Sequence, residues 1–129
     1  MKKRGNILVV DDESVIRQLL VRTISRDGYS VSEASDGVAA LEVLNKSHFD
    51  IVVSDIKMPR MNGMELLTEI RSKYPGVSVV LITGHGSEYN AEAVTEAGAD
   101  QFITKPFKNT EISRTLATLF NSREQQRKA

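Results

Sequence analysis

Five polar residues of this 129-residue chain are of types that could act together on a phosphoryl group: Asp11, Asp12, Asp55, Thr83 and Lys105. Asp55 closes the run Ile51-Val52-Val53-Ser54, whose mostly apolar, β-branched character marks a buried strand. Lys57-Met58-Pro59 follows at once and stops that strand. A carboxylate at the C-terminal lip of a buried parallel strand stands where open α/β sheets take their ligands. Asp55 there reads as a nucleophile for a phosphoryl group, giving an aspartyl phosphate, an intermediate type known for carboxylates. Taken singly, each residue also has a plainer role. Asp55 can form a turn, Asp11 and Asp12 can cap a helix, Thr83 can simply end a strand, and Lys105 before a proline can be solvated.

The combination carries more than its parts. Two like charges about 4 Å apart repel by roughly 4 kcal/mol at an effective dielectric near 20. Three acids brought together therefore call for a cation, and Mg2+ is the natural one, a hard ion that takes one or two carboxylates and bridges to phosphate oxygens. Asp11 or Asp12 would ligate it, with Asp55 adding an oxygen. Lys105 could reach phosphoryl oxygens as a compact point charge, and Thr83 could donate a hydroxyl hydrogen bond to them.

The elements that must hold these residues follow from hydrophobic periodicity. Ile7-Leu8-Val9-Val10 is a strand buried on both faces. A helix opens at Asp11-Asp12-Glu13-Ser14, with acids at its N-terminus and an inward stripe of Val15, Ile16, Leu19, Leu20 and Ile24, and Gly28 stops it. Residues 30–34 form a polar edge strand, Asp36-Gly37 a turn, and residues 38–45 a short helix directing Val38, Leu41 and Leu44 inward. After the Asp55 strand comes a helix over 64–73 facing inward through Met64, Leu67 and Ile70, then a strand over 77–82. A weakly apolar helix over 87–97, a strand over 101–104 and a helix over 111–120 complete the order. Strands alternating with helices predict an α/β fold, a five-stranded parallel sheet with helices on both faces. Its strand ends share one rim, which forces the five polar residues together.

Composition sets outer limits. The chain is 40% hydrophobic and 26% charged with zero formal net charge, an ordinary single-core balance that gives no reason to expect nonspecific binding to nucleic acid or an anionic membrane. With no cysteine, disulfides, thiolate metal sites and thiol nucleophiles are excluded. Only Ile7 to Val10 follow the basic Lys2-Lys3-Arg4 start, too short for an export signal, so a cytoplasmic location is expected. Residues 121–129 are charged and aperiodic, a tail or the start of a linker beyond a domain spanning 1–120. His48 reads as an ordinary turn histidine.

At Val9-Val10-Asp11-Asp12-Glu13, Ser54-Asp55-Ile56-Lys57-Met58-Pro59 with Met61-Asn62-Gly63, Leu81-Ile82-Thr83-Gly84-His85 and Thr104-Lys105-Pro106-Phe107, the chain resembles a two-component response-regulator receiver domain. The resemblance runs from Ile7 to about Leu119. It implies the flavodoxin-like strand order 2-1-3-4-5. It implies Asp55 as phosphoacceptor, Asp11 and Asp12 as the acidic pair for Mg2+, and the Lys57 backbone carbonyl as a further metal ligand. Thr83 and Lys105 match the phosphoryl-sensing pair and Phe102 the aromatic switch. A cis peptide between Lys105 and Pro106 is implied as well, and Lys57 and His85 stand where the family tunes phosphoryl lifetime. The implied donor is a phosphohistidine on a sensor histidine kinase or phosphotransfer protein. The implied output is a remodelled face of the fourth helix, fifth strand and fifth helix, also the surface for a homodimer.

Such a domain acts enzymatically only on its own aspartate. An aspartate-nucleophile phosphatase would need an Asp-x-Asp after the first strand, and a flavodoxin a hydroxyl-rich loop there; Asp11-Asp12-Glu13 offers neither. A stand-alone regulator and the receiver of a hybrid sensor kinase or transcription activator fit these motifs equally.

Overall fold

Apolar runs too continuous to leave a face in water define the middle of the sheet. The computed structural model describes residues 4–84 and 89–128. In it β1 (Asn6–Val10), β3 (Ile51–Asp55) and β4 (Ser78–Thr83) are buried along almost their whole length. The more exposed β2 (Ser30–Ala34) and β5 (Gln101–Thr104) take the two edges. The order is β2-β1-β3-β4-β5 and every pairing is parallel. Val10 pairs with both Ala34 and Ser54, Asp55 with Ile82, and Thr83 with Thr104, so the C-terminal ends meet along one edge of the sheet.

Alternation along the strands splits the interior into two cores. Ile7, Val9, Ile51, Val53, Val80, Ile82 and Ile103 face α1 (Ser14–Arg26) and α5 (Asn109–Lys128). Leu8, Val10, Val52, Val79 and Leu81 face α2 (Gly37–Lys46), α3 (Gly63–Lys73) and α4 (Ala91–Glu96). None of the helices among the described residues is long and apolar enough to cross a membrane.

The helices depart from the expected pattern in instructive places. Val15 is 79% exposed rather than part of the α1 stripe, and the helix buries Leu20, Thr23 and Ile24 instead. The acids Asp11, Asp12 and Glu13 precede that helix instead of entering its first turn; Glu13 is the N-cap and makes no side-chain cap bond. In α2 the buried residues are Gly37, Ala40 and Leu44, while Val38 and Leu41 are half-buried. Asp36, expected in a turn, caps that helix by accepting the Ala39 N–H at 2.9 Å. In α3 Leu66 joins Leu67 and Ile70 inside, with Met64 half-buried, and Asn62 and Glu65 form a reciprocal capping box. The helix expected over 87–97 is α4 from Ala91, and its first expected turn lies partly outside the described residues.

The largest difference is α5, which runs on through the charged segment to Lys128. Tertiary contacts supply what apolar periodicity does not. Phe120 stacks on Tyr29 with ring centroids 5.0 Å apart, and the Arg4 guanidinium lies 4.7 Å above the other ring of that pair, Tyr29. Beyond it, Arg123 donates to the Gly76 carbonyl and the Ser78 hydroxyl, both at 2.9 Å, and reaches Asp50 at 3.5 Å. Arg123→Ala should cost about 1 kcal/mol and lower hydrogen-exchange protection over residues 120–125. Protection equal to that of the parent would mean the helix holds there without this anchor.

Candidate functional site

The sheet edge at the C-terminal strand ends gathers the chemistry. Oxygens of Asp11, Asp12 and Asp55 lie within 4.8 Å of one another. Asp11 is fully buried and Asp55 nearly so, while Asp12 is exposed. The Lys105 ammonium sits 3.1 Å from Asp55 Oδ2 and 3.5 Å from Glu13 Oε1. Burial works against that ammonium, but the hydrogen bond and charge of Asp55, with Asp11 and Glu13 adding, outweigh it and hold its pKa above the ordinary lysine value.

Asp11 is the most perturbed member. Burial pushes its carboxyl up to about 6, and the charges of Asp55 and Asp12 add to this. The Glu13 N–H, donated to Asp11 Oδ1 at 2.9 Å, and the more distant Lys105 oppose the rise. Its other oxygen, Oδ2, is buried without a hydrogen-bond partner among the described residues. An unpartnered anionic oxygen facing two further carboxylates fits a hard divalent cation. Oxygen donors of this kind suit Mg2+ rather than a softer metal.

Local structure explains why these side chains point where they do. Arg17 donates to the Asp11 carbonyl at 2.8 Å while its Nε bonds Glu33 at 2.8 Å, pinning the β1–α1 connection to the edge strand. Ser54 Oγ donates to the Asp55 carbonyl at 2.8 Å. Gly63 backs directly onto the same segment: a Cβ there would run into the Asp55 carbonyl oxygen and Ile56 Cα, and its N–H bonds Ile56 O at 2.7 Å. Glu13, Arg17 and Gly63 are additions to the residues expected from sequence. Glu13 adjoins the acidic pair and Gly63 follows the capping Asn62, but a partner sixteen positions on in β2 leaves Arg17 no local signal.

Thr83 is buried, and its hydroxyl has no hydrogen-bond partner among the described residues. It lies on the α4 face of the sheet with Leu81, opposite which Phe102 pairs on β5; Phe102 is half-buried and packs against the same core. Lys57 is exposed in the loop after β3. The Lys105–Pro106 peptide is cis. His85 lies outside the described residues. His48 is exposed at the opposite end of β3, 3.4 Å from Asp50.

A fold and rim of this kind define a doubly wound domain built around a buried acidic site. Comparison with known proteins specifies which. The family model for the response regulator receiver domain matches residues 7–117. The transcriptional regulatory protein GlrR of Escherichia coli is 41% identical over 104 residues, covering 81% of this chain and 23% of GlrR. The response regulator MprA of a Mycobacterium species is 40% identical over 106 residues, 82% of this chain and 46% of MprA. Among solved structures, a response regulator receiver domain protein from Clostridium thermocellum superposes with a TM-score of 0.88 at 32% identity, covering 95% of this chain and 98% of that one. NtrX of Brucella abortus gives 0.90 at 34% identity over 96% of this chain and 29% of its own. The chain belongs to the response regulator receiver domain family of two-component systems. It spans less than half the length of the named regulators GlrR and MprA.

The buried Asp11 charge makes a prediction about the metal-free protein. Its folded-state pKa is raised, so its contribution to stability is complete below about 3.8 and is lost as pH rises through about 6. In EDTA, Asp11→Asn should therefore melt above the parent at pH 7.5, by roughly 3 °C or more, with the gap closing toward pH 4. A parent that is the more stable of the two at pH 7.5 would contradict the assigned burial cost.

Proposed function

We propose that Asp55 accepts a phosphoryl group from a phosphohistidine on a sensor kinase or phosphotransfer protein. A carboxylate oxygen of Asp55 bonds to phosphorus as the bond from phosphorus to the donor imidazole nitrogen breaks, the electron pair staying on a ring whose other nitrogen is protonated, so that the histidine leaves neutral. The observation that carries this reading is the nearly buried Asp55 carboxylate with two further carboxylates within 4.8 Å and an ammonium at 3.1 Å. Asp11, Asp12, Asp55 and the backbone carbonyl of Lys57 would hold Mg2+. When bound, the ion neutralises the carboxylates and steadies charge on the transferring oxygens.

The protein's own groups do the rest. Lys105, already on an Asp55 oxygen, is placed to move onto the oxygens of the incoming group. Thr83 carries an uncommitted buried hydroxyl that can donate to the same oxygens. Its movement toward them would free space beside Phe102 on the α4 face, and rotation of that ring would remodel the surface of α4, β5 and α5. In α4 Val94 is the buried residue, so little apolar packing holds it. Receivers remodelled there would pair as homodimers through this face. The domain is an enzyme only toward its own aspartate, works in the cytoplasm, and does not itself bind nucleic acid, in keeping with zero formal net charge.

The output depends on whether the domain stands alone or is joined to another. Two relatives at about this level of identity, a transcriptional regulatory protein and a response regulator, carry most of their length outside the matched segment. They favour the receiver of a transcription regulator over that of a hybrid kinase.

Incubation with Mg2+ and acetyl phosphate should add one phosphoryl mass to the parent and none to Asp55→Asn; an increment retained in that variant would overturn the assignment. We further expect the exposed Lys57 side chain to shield the aspartyl phosphate from water. Lys57→Ala should then shorten its half-life several-fold, roughly 1 kcal/mol off the hydrolytic barrier, while an unchanged half-life removes that role; His85 is the second position to vary in the same assay.

A further inference from the structure

We infer that Asp36 and Arg60 form a latch that positions the loop between Asp55 and α3, making both of them positioning residues for metal binding at the Asp55 site. The inference rests on the Mg2+ reading above and concerns residues that touch none of the reacting atoms.

The loop contains a strained turn. Arg60 has φ 66°, and across it the Met61 N–H bonds the Pro59 carbonyl at 2.7 Å. A hydrogen bond closing over one residue of positive φ is the rare form of γ-turn. A residue with a side chain stays in such a conformation only when its surroundings enforce it.

The enforcement comes from the start of α2. Arg60 Nε and one terminal guanidinium nitrogen both lie 2.7 Å from Asp36 Oδ2. The other Asp36 oxygen accepts the Ala39 N–H, so the carboxylate is fixed to the helix and holds the loop with what remains. It is nearly buried, and the Ala39 N–H keeps it below the usual carboxylate range against the burial cost, with Arg60 assisting. Beside it, the Gly37 N–H bonds the Met61 carbonyl at 3.3 Å, and a Cβ on Gly37 would overlap the Met61 side chain and carbonyl. Only glycine lets the two segments approach this closely.

At its other points the loop is tied into the site itself. The Ile56 N–H bonds Ile82 O at 3.0 Å, and the Gly63 N–H bonds Ile56 O at 2.7 Å. Lys57, whose carbonyl the metal reading requires, is thus held between Asp55 and a latch that sets the return path of the chain. Release of Arg60 would let its φ relax and carry the loop backbone away from the carboxylates. Outer partners that orient a metal's ligands typically matter about tenfold or more in affinity.

The test is Mg2+ binding by titration calorimetry, with melting in EDTA as the control for folding. Asp36→Asn keeps the cap, since asparagine caps as well as aspartate, but loses the charge on Arg60. Arg60 is 59% exposed, so Arg60→Ala removes little packing. Both should weaken Mg2+ binding by roughly tenfold with near-parental melting, and Arg60→Lys, which keeps a cation but cannot reproduce the two contacts to Asp36 Oδ2, should fall between them and the parent. Asp36→Asn and Arg60→Ala binding within twofold of the parent would overturn the latch while leaving the metal site intact. A parent that binds no Mg2+ would overturn the metal reading and the latch together.

Discussion

Three carboxylates confined within 4.8 Å, one of them fully buried, are the constraint on which this structure turns. Such a cluster is costly in a folded protein, and nothing in local chain preference would assemble it. It is tolerated because the surrounding core is large and continuous enough to carry the cost, and because Lys105 places a positive charge against it. The site is in that sense stressed as it stands. The buried Asp11 oxygen and Thr83 hydroxyl, each without a hydrogen-bond partner among the described residues, are local costs to stability.

The sheet makes the confinement possible. Parallel strands deliver their last residues to one edge, so a short list of positions distant in sequence becomes a site without any long loop. The strands also keep two cores apart. Asp55 follows Ile51 and Val53, which face α1 and α5, while Thr83 and Phe102 belong to the face packed against α3 and α4. A group arriving at the rim can therefore touch residues rooted in both cores, though the sheet interior separates them.

Much of this was legible in the sequence, and the reasons are physical. Uninterrupted apolar runs at Ile7–Val10 and around Val79–Ile82 admit little except buried strands, and a buried parallel strand fixes where its terminal polar residue goes. Helix faces were less legible because both Val15 and Leu20 suit a helical stripe, and which is covered depends on where α1 crosses the sheet. The length of α5 was hidden for a different reason: its last turns are held by Arg123 and by stacking at Phe120, contacts to residues far away in sequence that leave no periodic trace. Asp36 illustrates a third kind of gap. Its preference for a turn or cap is visible locally, but its grip on Arg60 depends on two loops meeting.

The fastening of α5 has a mechanical consequence. The helix is a rod of about 30 Å, secured by Ser113 to Asp27, by Phe120 to Tyr29 and by Arg123 to the start of β4. A rod clipped at three heights along its length behaves as a spar of the body rather than as a tether. Its axis reports the orientation of the whole sheet, and a change of bearing of about 10° would swing the far end by roughly 5 Å relative to the near one.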